Sequence, residues 1–152
     1  MDKLRRAVFV DRDGTLNYDN GYTHKVSDLK IYDDIIPILK DYYDRGYVII
    51  VITNQSGINR GYYGKEDMEA FNRKLAEALI KHGIKIEDFF YCPHTPDEHC
   101  SCRKPETGLI QMAAEKYGID IKSSIVIGDS ESTDGKMASR LGIKFIKVHG
   151  YN

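Results

Sequence analysis

The chain has 152 residues, of which 41% are apolar and 30% charged, with a formal net charge of −1. That length fits one domain, residues 1–152, with enough chain to bury a core of its own. The charge balance excludes a global basic field for nucleic acid or anionic membrane, and no apolar run approaches the ~20 residues that span a bilayer.

In chain order, the charged start from Met1 to Arg6 precedes an apolar stretch too short for a signal peptide, so a cytoplasmic protein is expected. Residues 7–10 are a short apolar run that ends in turn residues. Residues 47–52 (YVIIVI) are almost all β-branched and predict a strand buried on both faces. Residues 88–91, 124–127 and 144–148 are further strand candidates. Between them, 34–45, 65–82, 106–117 and 132–141 carry helical spacing, with Gly46, Gly83, Gly118 and Gly142 where helix ends belong. The alternation predicts an α/β fold: a Rossmann-like parallel sheet with helices on both faces. Ligands of such sheets bind beyond the carboxyl ends of the strands. Asp11 and Asp13, Thr53, the Cys/His/Lys segment and Asp129 all follow strands, so four strand ends are expected to converge on one rim.

Two carboxylates two residues apart, leaving a buried strand, are costly unless they bind something. Asp11 and Asp13 can offer hard oxygen to Mg²⁺. One carboxylate can attack phosphorus, and the other can protonate the leaving oxygen. Gly14 permits a tight turn that aims backbone N–H groups at a phosphate. A solvated strand end with an Asp-Gly turn is the plainer alternative. The full string Asp11-Arg12-Asp13-Gly14-Thr15 after an apolar strand resembles the first motif of the haloacid dehalogenase superfamily. The resemblance implies that Asp11 is a nucleophile and Asp13 an acid/base.

The other motifs follow from it. Thr53 ends the second strand, and the resemblance implies that its hydroxyl holds a phosphoryl group. Cys102-Arg103-Lys104-Pro105 supplies two cations, suited to phosphate and to transition-state charge. Lys104 is the implied motif lysine; an exposed basic turn before a helix starting at Pro105 is the alternative. Gly128-Asp129 follows an apolar strand, and Asp129 is the implied magnesium ligand, with Asp134 as possible support or as a helix cap. Asp11, the backbone carbonyl of Asp13, and Asp129 would together hold Mg²⁺.

Residues 92–102 contain all three cysteines and two histidines. An odd, close grouping suggests a metal site over a disulfide framework, and three thiolates with one imidazole suit tetrahedral Zn²⁺. His94 and His99 compete for the fourth place. The spacing Cys92-x-His94, then Cys100-x-Cys102-Arg103-Lys104-Pro105, resembles the zinc-bearing, capless branch of the superfamily, which holds heptose bisphosphate and histidinol-phosphate phosphatases. That resemblance favours His94. Asp19-Asn20-Gly21-Tyr22-Thr23-His24 and Asn54-Gln55-Ser56-Gly57-Ile58-Asn59-Arg60-Gly61 are similar to the heptose side of the branch. They imply substrate contacts from Asp19, Asn20, Gly21 and Tyr22. The same resemblance implies contacts from Thr53, Asn54, Gln55, Ser56, Arg60, Arg103 and Lys104. Ser130 departs from the heptose pattern, which often has a lysine there.

The expected protein is a monomeric, Mg²⁺-dependent and zinc-bearing phosphatase of a small phosphosugar, with no nucleic-acid or membrane partner. A histidinol-phosphate or DNA 3′-phosphate phosphatase is the nearest rival. A non-catalytic phosphosugar-binding module is the rival of another class, and it has no evident need for both Asp11 and Asp13.

Overall fold

The computed structural model describes residues 3–149; Met1 and Asp2 of the charged start lie outside them. Five strands form one parallel sheet: β1 (Ala7–Val10), β2 (Val48–Asn54), β3 (Ile86–Cys92), β4 (Ile125–Gly128) and β5 (Lys144–Lys147). Their spatial order is β3-β2-β1-β4-β5. The helices are α1 (Ile35–Asp44), α2 (Lys65–Ile80), α3 (Gly108–Tyr117) and α4 (Lys136–Leu141).

Successive side chains of a strand point to opposite faces, and here each face meets its own core. Ala7 and Phe9 of β1 and Val48, Ile50 and Ile52 of β2 pack with Leu109, Ile110 and Ala113 of α3 and Met137 and Ala138 of α4. Val8 and Val10, with Ile49 and Val51, pack on the other face with Ile35 and Leu39 of α1 and Leu75 and Leu79 of α2. The near-continuous apolar runs of β1 and β2 therefore reflect strands covered on both sides. Each connection between strands carries one α-helix, with longer loops over residues 11–34 and 93–107 and no inserted cap among the described residues.

Several boundaries differ from the sequence expectation. β2 runs on to Asn54, so Thr53 lies inside the strand's last turn of pairing, opposite Tyr91. β3 is longer than expected because it is an edge strand whose outward side chains need not be apolar: Asp88 binds Lys116 and Tyr117. α3 starts at Gly108, not at residue 106, because the chain first turns back on Ser101; Gly108 N donates to Ser101 O at 3.0 Å. The helix expected over 132–141 divides into a wide π turn, Glu131–Gly135, and then α4. The turn rotates Asp134 inward, the usual setting of such bulges being a functional site. Gly46, Gly83, Gly118 and Gly142 all have positive φ at helix ends, as expected.

The strand order reverses beside β1. The chain builds outward through β2 and β3, then returns to lay β4 on the other side of β1. That leaves a crevice beyond the carboxyl ends of β1 and β4, the place where open α/β sheets bind ligands.

Candidate active site

Asp11 is the first residue beyond β1, and its backbone N–H donates to Ile127 O of β4 at 3.0 Å. The pairing of the two strands thus continues up to the crevice and fixes where the carboxylate emerges. Lys104 Nζ donates to Asp11 Oδ1 at 2.7 Å, to Asp134 Oδ1 at 2.7 Å and to Ile52 O at 2.9 Å. Thr15 Oγ1 donates to Asp11 Oδ2 at 3.0 Å and reaches Asp129 Oδ1 at 3.4 Å. Lys104 is 4% exposed. Burial by itself lowers a lysine's pKa, but the charges of Asp11 and Asp134 outweigh it and push Lys104 up, so it stays an ammonium.

Asp11, Asp129 and Asp134 place carboxylate oxygens within 4.8 Å of one another. Three carboxylates face one ammonium. Burial, and then the charge of Asp11, push Asp129 up to about 6. Burial pushes Asp134 upward as well, with Lys104 opposing. Asp134 Oδ2 is buried without a hydrogen-bond partner. Crowded, desolvated carboxylates with unspent lone pairs suit a hard dication, so these residues fit Mg²⁺. The carboxylate of Asp13 stands outside this group. It accepts from Arg12 at 2.9 and 3.0 Å, from Asn17 Nδ2 at 3.1 Å and from Gln55 Nε2 at 3.0 Å. Burial raises its pKa against the opposing pull of Arg12 and Asn17. One carboxylate is thus clamped in a polar cluster, and a second is fixed beside it by four N–H donors. That pair can do nucleophilic and acid–base chemistry on one phosphoryl group.

A model of the polynucleotide kinase 3 phosphatase family matches residues 7–149. A probable D-glycero-D-manno-heptose-1,7-bisphosphate 7-phosphatase of Thermoplasma acidophilum is 50% identical over 140 residues, covering 92% of this chain and 88% of that protein. The chain belongs to the haloacid dehalogenase-like phosphatases, in the heptose-1,7-bisphosphate 7-phosphatase family. A D-glycero-beta-D-manno-heptose-1,7-bisphosphate 7-phosphatase of Helicobacter pylori is 43% identical over 133 residues, 87% of this chain and 76% of that one. The crystal structure of a D,D-heptose 1,7-bisphosphate phosphatase from B. bronchiseptica, complexed with magnesium and phosphate, matches with a TM-score of 0.83. It is 27% identical, and the match covers 93% of this chain and 79% of that one.

In this haloacid dehalogenase-like phosphatase the crevice opens into a cavity of about 380 Å³. Its floor carries Asp11, Asp13, Thr53, Lys104 and Asp129, and its walls carry Asp19, Gly21, Tyr22, Ser56, Arg60 and Arg103. Asn54 and Gln55 also line it, but their side chains are committed to the protein. Asn54 brackets the Lys104 backbone, accepting from its N–H at 2.9 Å and donating to its carbonyl at 3.3 Å. Gln55 donates to Asp13 and, at 2.8 Å, to Thr53 Oγ1, while Tyr63 donates to Gln55 Oε1. Asn20 does not line the cavity: its amide donates to Asp28 and its oxygen accepts from Thr23, so it braces the loop.

Cys92, His94, Cys100 and Cys102 come together with all ligand atoms within 4.8 Å. His94 Nδ1 lies 3.2 Å from both Cys92 Sγ and Cys102 Sγ. His99 is outside the group; it caps the short turn Pro96–Glu98 in a left-handed conformation. The three cysteines are free thiols. Burial drives Cys92 upward, whereas at Cys100 burial is overcome by hydrogen bonds from the Arg103 and Cys102 backbone, which bring it down to about 7. The backbone N–H of Arg103 donates to Cys100 Sγ at 3.3 Å, and Arg103 Nη1 donates to His94 O at 3.2 Å. Three sulfurs and an imidazole in this arrangement fit tetrahedral zinc, with an outer hydrogen bond to orient a thiolate.

Sequence reasoning missed three residues that shape the site. Arg12 is wholly buried, where an arginine in a polar turn is normally solvated. Thr15 stood within the first motif, yet nothing local shows that its hydroxyl reaches Asp11. Tyr63 is one of eleven tyrosines, and only the fold sets it against Gln55 and stacks it on His24 at 4.6 Å.

Proposed function

We propose that the protein is a Mg²⁺-dependent phosphatase that releases the 7-phosphate of D-glycero-D-manno-heptose 1,7-bisphosphate through an aspartyl-phosphate on Asp11. The observation that carries the chemistry is the Asp11 carboxylate, held by Thr15 and Lys104 beside a second carboxylate fixed by Arg12, Asn17 and Gln55. The substrate is supported by the names of relatives at 43% and 50% identity and by the polar cavity with Arg60 and Arg103 on its walls, which suit phosphate.

Thr15 and Lys104 fix the two oxygens of Asp11, which leaves the carboxylate oriented for in-line attack on phosphorus. As the Asp11–P bond forms, the bond from phosphorus to the sugar oxygen breaks. Asp13 gives its proton to that oxygen. Asp13 then takes a proton from water as the water oxygen bonds to phosphorus and the Asp11–P bond breaks, which frees phosphate. Lys104 keeps its charge throughout and offsets negative charge gathered on the phosphoryl oxygens. Thr53, at the carboxyl end of β2 on the cavity floor, holds those oxygens.

Asp11, Asp129 and the backbone carbonyl of Asp13 would hold Mg²⁺, with Asp134 supporting the site through Lys104. When bound, the ion neutralises the carboxylate cluster and offers Lewis acidity to the phosphoryl group. Cys92, His94, Cys100 and Cys102 would hold a structural zinc that braces the Arg103–Lys104 turn. The grouped free thiols fit a reducing compartment, so we place the enzyme in the cytoplasm; we read it as a single phosphatase domain and a monomer.

The name of the matching family model makes a nucleic-acid 3′-phosphate the second reading. A net charge of −1 argues against it. The test is phosphate release from both anomers of heptose 1,7-bisphosphate, histidinol phosphate and a 3′-phosphorylated oligonucleotide, with Mg²⁺ and then with EDTA. Rapid, EDTA-sensitive release from one heptose anomer is expected, and Asp11→Asn should abolish it while the fold persists. Turnover by Asp11→Asn at the wild-type rate would remove the nucleophile assignment, and preference for the oligonucleotide would replace the substrate.

A further inference from the structure

Arg12 leads the fully buried side chains in size, with 0% exposure, and it stands between the two aspartates of the first motif. A guanidinium taken wholly out of water is retained only where its donors are matched, and substitution by an apolar side chain of similar volume is often no less stable. Arg12 is matched in a particular way. Nε donates to Asp13 Oδ1 at 2.9 Å and Nη2 to Asp13 Oδ2 at 3.0 Å, a two-point grip. Nη2 also donates to Thr23 O at 2.7 Å, and Nη1 to Asn72 Oδ1 of α2 at 3.0 Å. The Phe71 ring lies under the guanidinium, 4.5 Å from its carbon to the ring centroid.

These contacts join three parts of the molecule. Asn72 and Phe71 anchor the guanidinium to α2, a helix tied into the core through Leu75 and Leu79. Thr23 belongs to the loop whose Asp19, Gly21 and Tyr22 wall the cavity, and its hydroxyl oxygen lies 2.9 Å from Asp19 Oδ1. Asp13, gripped by the same guanidinium, lines the cavity. A planar fork gripping both oxygens fixes the rotation of the carboxylate as well as its position, which a point-charge lysine does not do.

We propose that Arg12 is a positioning residue: it holds the plane of the Asp13 carboxylate toward the leaving oxygen and ties that orientation to the cavity wall formed by the 19–24 loop. The inference rests on the reading above that Asp13 exchanges the leaving-group proton. Arg12 itself neither gains nor loses a proton; only Asp13 does.

The experiment compares two leaving groups. p-Nitrophenyl phosphate departs as a stable phenolate that needs little protonation, whereas a sugar or alkyl phosphate departs as an alkoxide that needs the proton. The alkyl substrate is the best one found in the phosphate-release panel. Arg12→Met should lower kcat/KM, which reads the steps up to leaving-group departure and not the shared hydrolysis of the aspartyl-phosphate, about 30-fold more on the alkyl phosphate than on p-nitrophenyl phosphate, a share of the ~10²–10⁴ that general acid catalysis supplies. Arg12→Lys should fall between Met and wild type, and Arg12→Met should add no further selectivity in an Asp13→Asn background. Should Arg12→Met fail to fold, Asn72→Leu removes one anchor and should give the same selective loss at about threefold. Equal losses on both substrates, with Asp13→Asn still selective, would make Arg12 a structural residue only and overturn the proposal. Equal losses in Asp13→Asn itself would remove the acid assignment and the Arg12 proposal together.

Discussion

A methyl group on Gly14 would stand 2.4 Å from Asp129 Oδ2, and φ there is +84°, a conformation that side-chain-bearing residues rarely adopt. Gly14→Ala should therefore displace Asp129 or the loop. We expect phosphatase activity to fall about 100-fold and stability to fall by about 1–3 kcal/mol, read by kinetics and thermal unfolding. Asp129 carries a second prediction. Its folded pKa, about 6, lies above the ordinary carboxylate value because of burial and Asp11. The stability that this shift contributes is complete below the unfolded pKa and is lost as pH rises through about 6. The ionised carboxylate is the less comfortable form in the folded protein and the form that a dication relieves, so protons and Mg²⁺ compete. Mg²⁺ should raise the unfolding temperature more near pH 7.5 than near pH 5, by about the linkage expected for a lost proton site. An equal rise at both pH values would sever Asp129 from the ion.

The 92–102 segment has little regular structure of its own, yet it positions two cations of the site. Asn59 donates to both oxygens of Glu98 at 3.1 Å, which ties this segment to the loop after β2. Cys100 Sγ receives the Arg103 N–H, and Lys104 follows immediately in sequence. A change in the sulfur cluster should therefore reach the cavity through the backbone. If the cluster holds the proposed zinc, Cys100→Ser is expected to abolish zinc binding, lower the unfolding temperature and reduce kcat/KM by about 10–100-fold. Elemental analysis beside kinetics checks it; full activity in a zinc-free, folded variant would confine the cluster to stability. The π turn before α4 carries Asp134, whose Oδ1 accepts from Lys104 Nζ at 2.7 Å.

Two apolar layers, one on each face, keep the sheet rigid beneath the crevice. Phe9 is fully buried in the layer that carries α3 and α4, two residues before Asp11. Phe9→Ala should cost about 3–5 kcal/mol, measured by denaturant unfolding, and activity of the fraction still folded should also fall because β1 aims the proposed nucleophile. The order β3-β2-β1-β4-β5 sets the crevice between β1 and β4, so Asp11 and Asp129, 118 positions apart in the sequence, become neighbours.

The residue pattern alone determined the parallel α/β class, the strands that carry the motifs, the helix-ending glycines and the zinc cluster's density. Each of these is a local signal: apolar runs, turn chemistry, or ligands a few residues apart. Boundaries at Gly108, at the end of β2 and in the 131–135 turn were not legible, because they depend on contacts with Ser101, Tyr91 and Lys104 from other parts of the chain. The same holds for Asn20 bracing its loop and for the burial of Arg12, whereas His94 is already favoured over His99 by the motif. Side-chain identity states which interactions are available to a residue. Only packing decides which partners are within about 3 Å and whether water remains to compete, and for a charged group that difference separates a solvated surface from a working site.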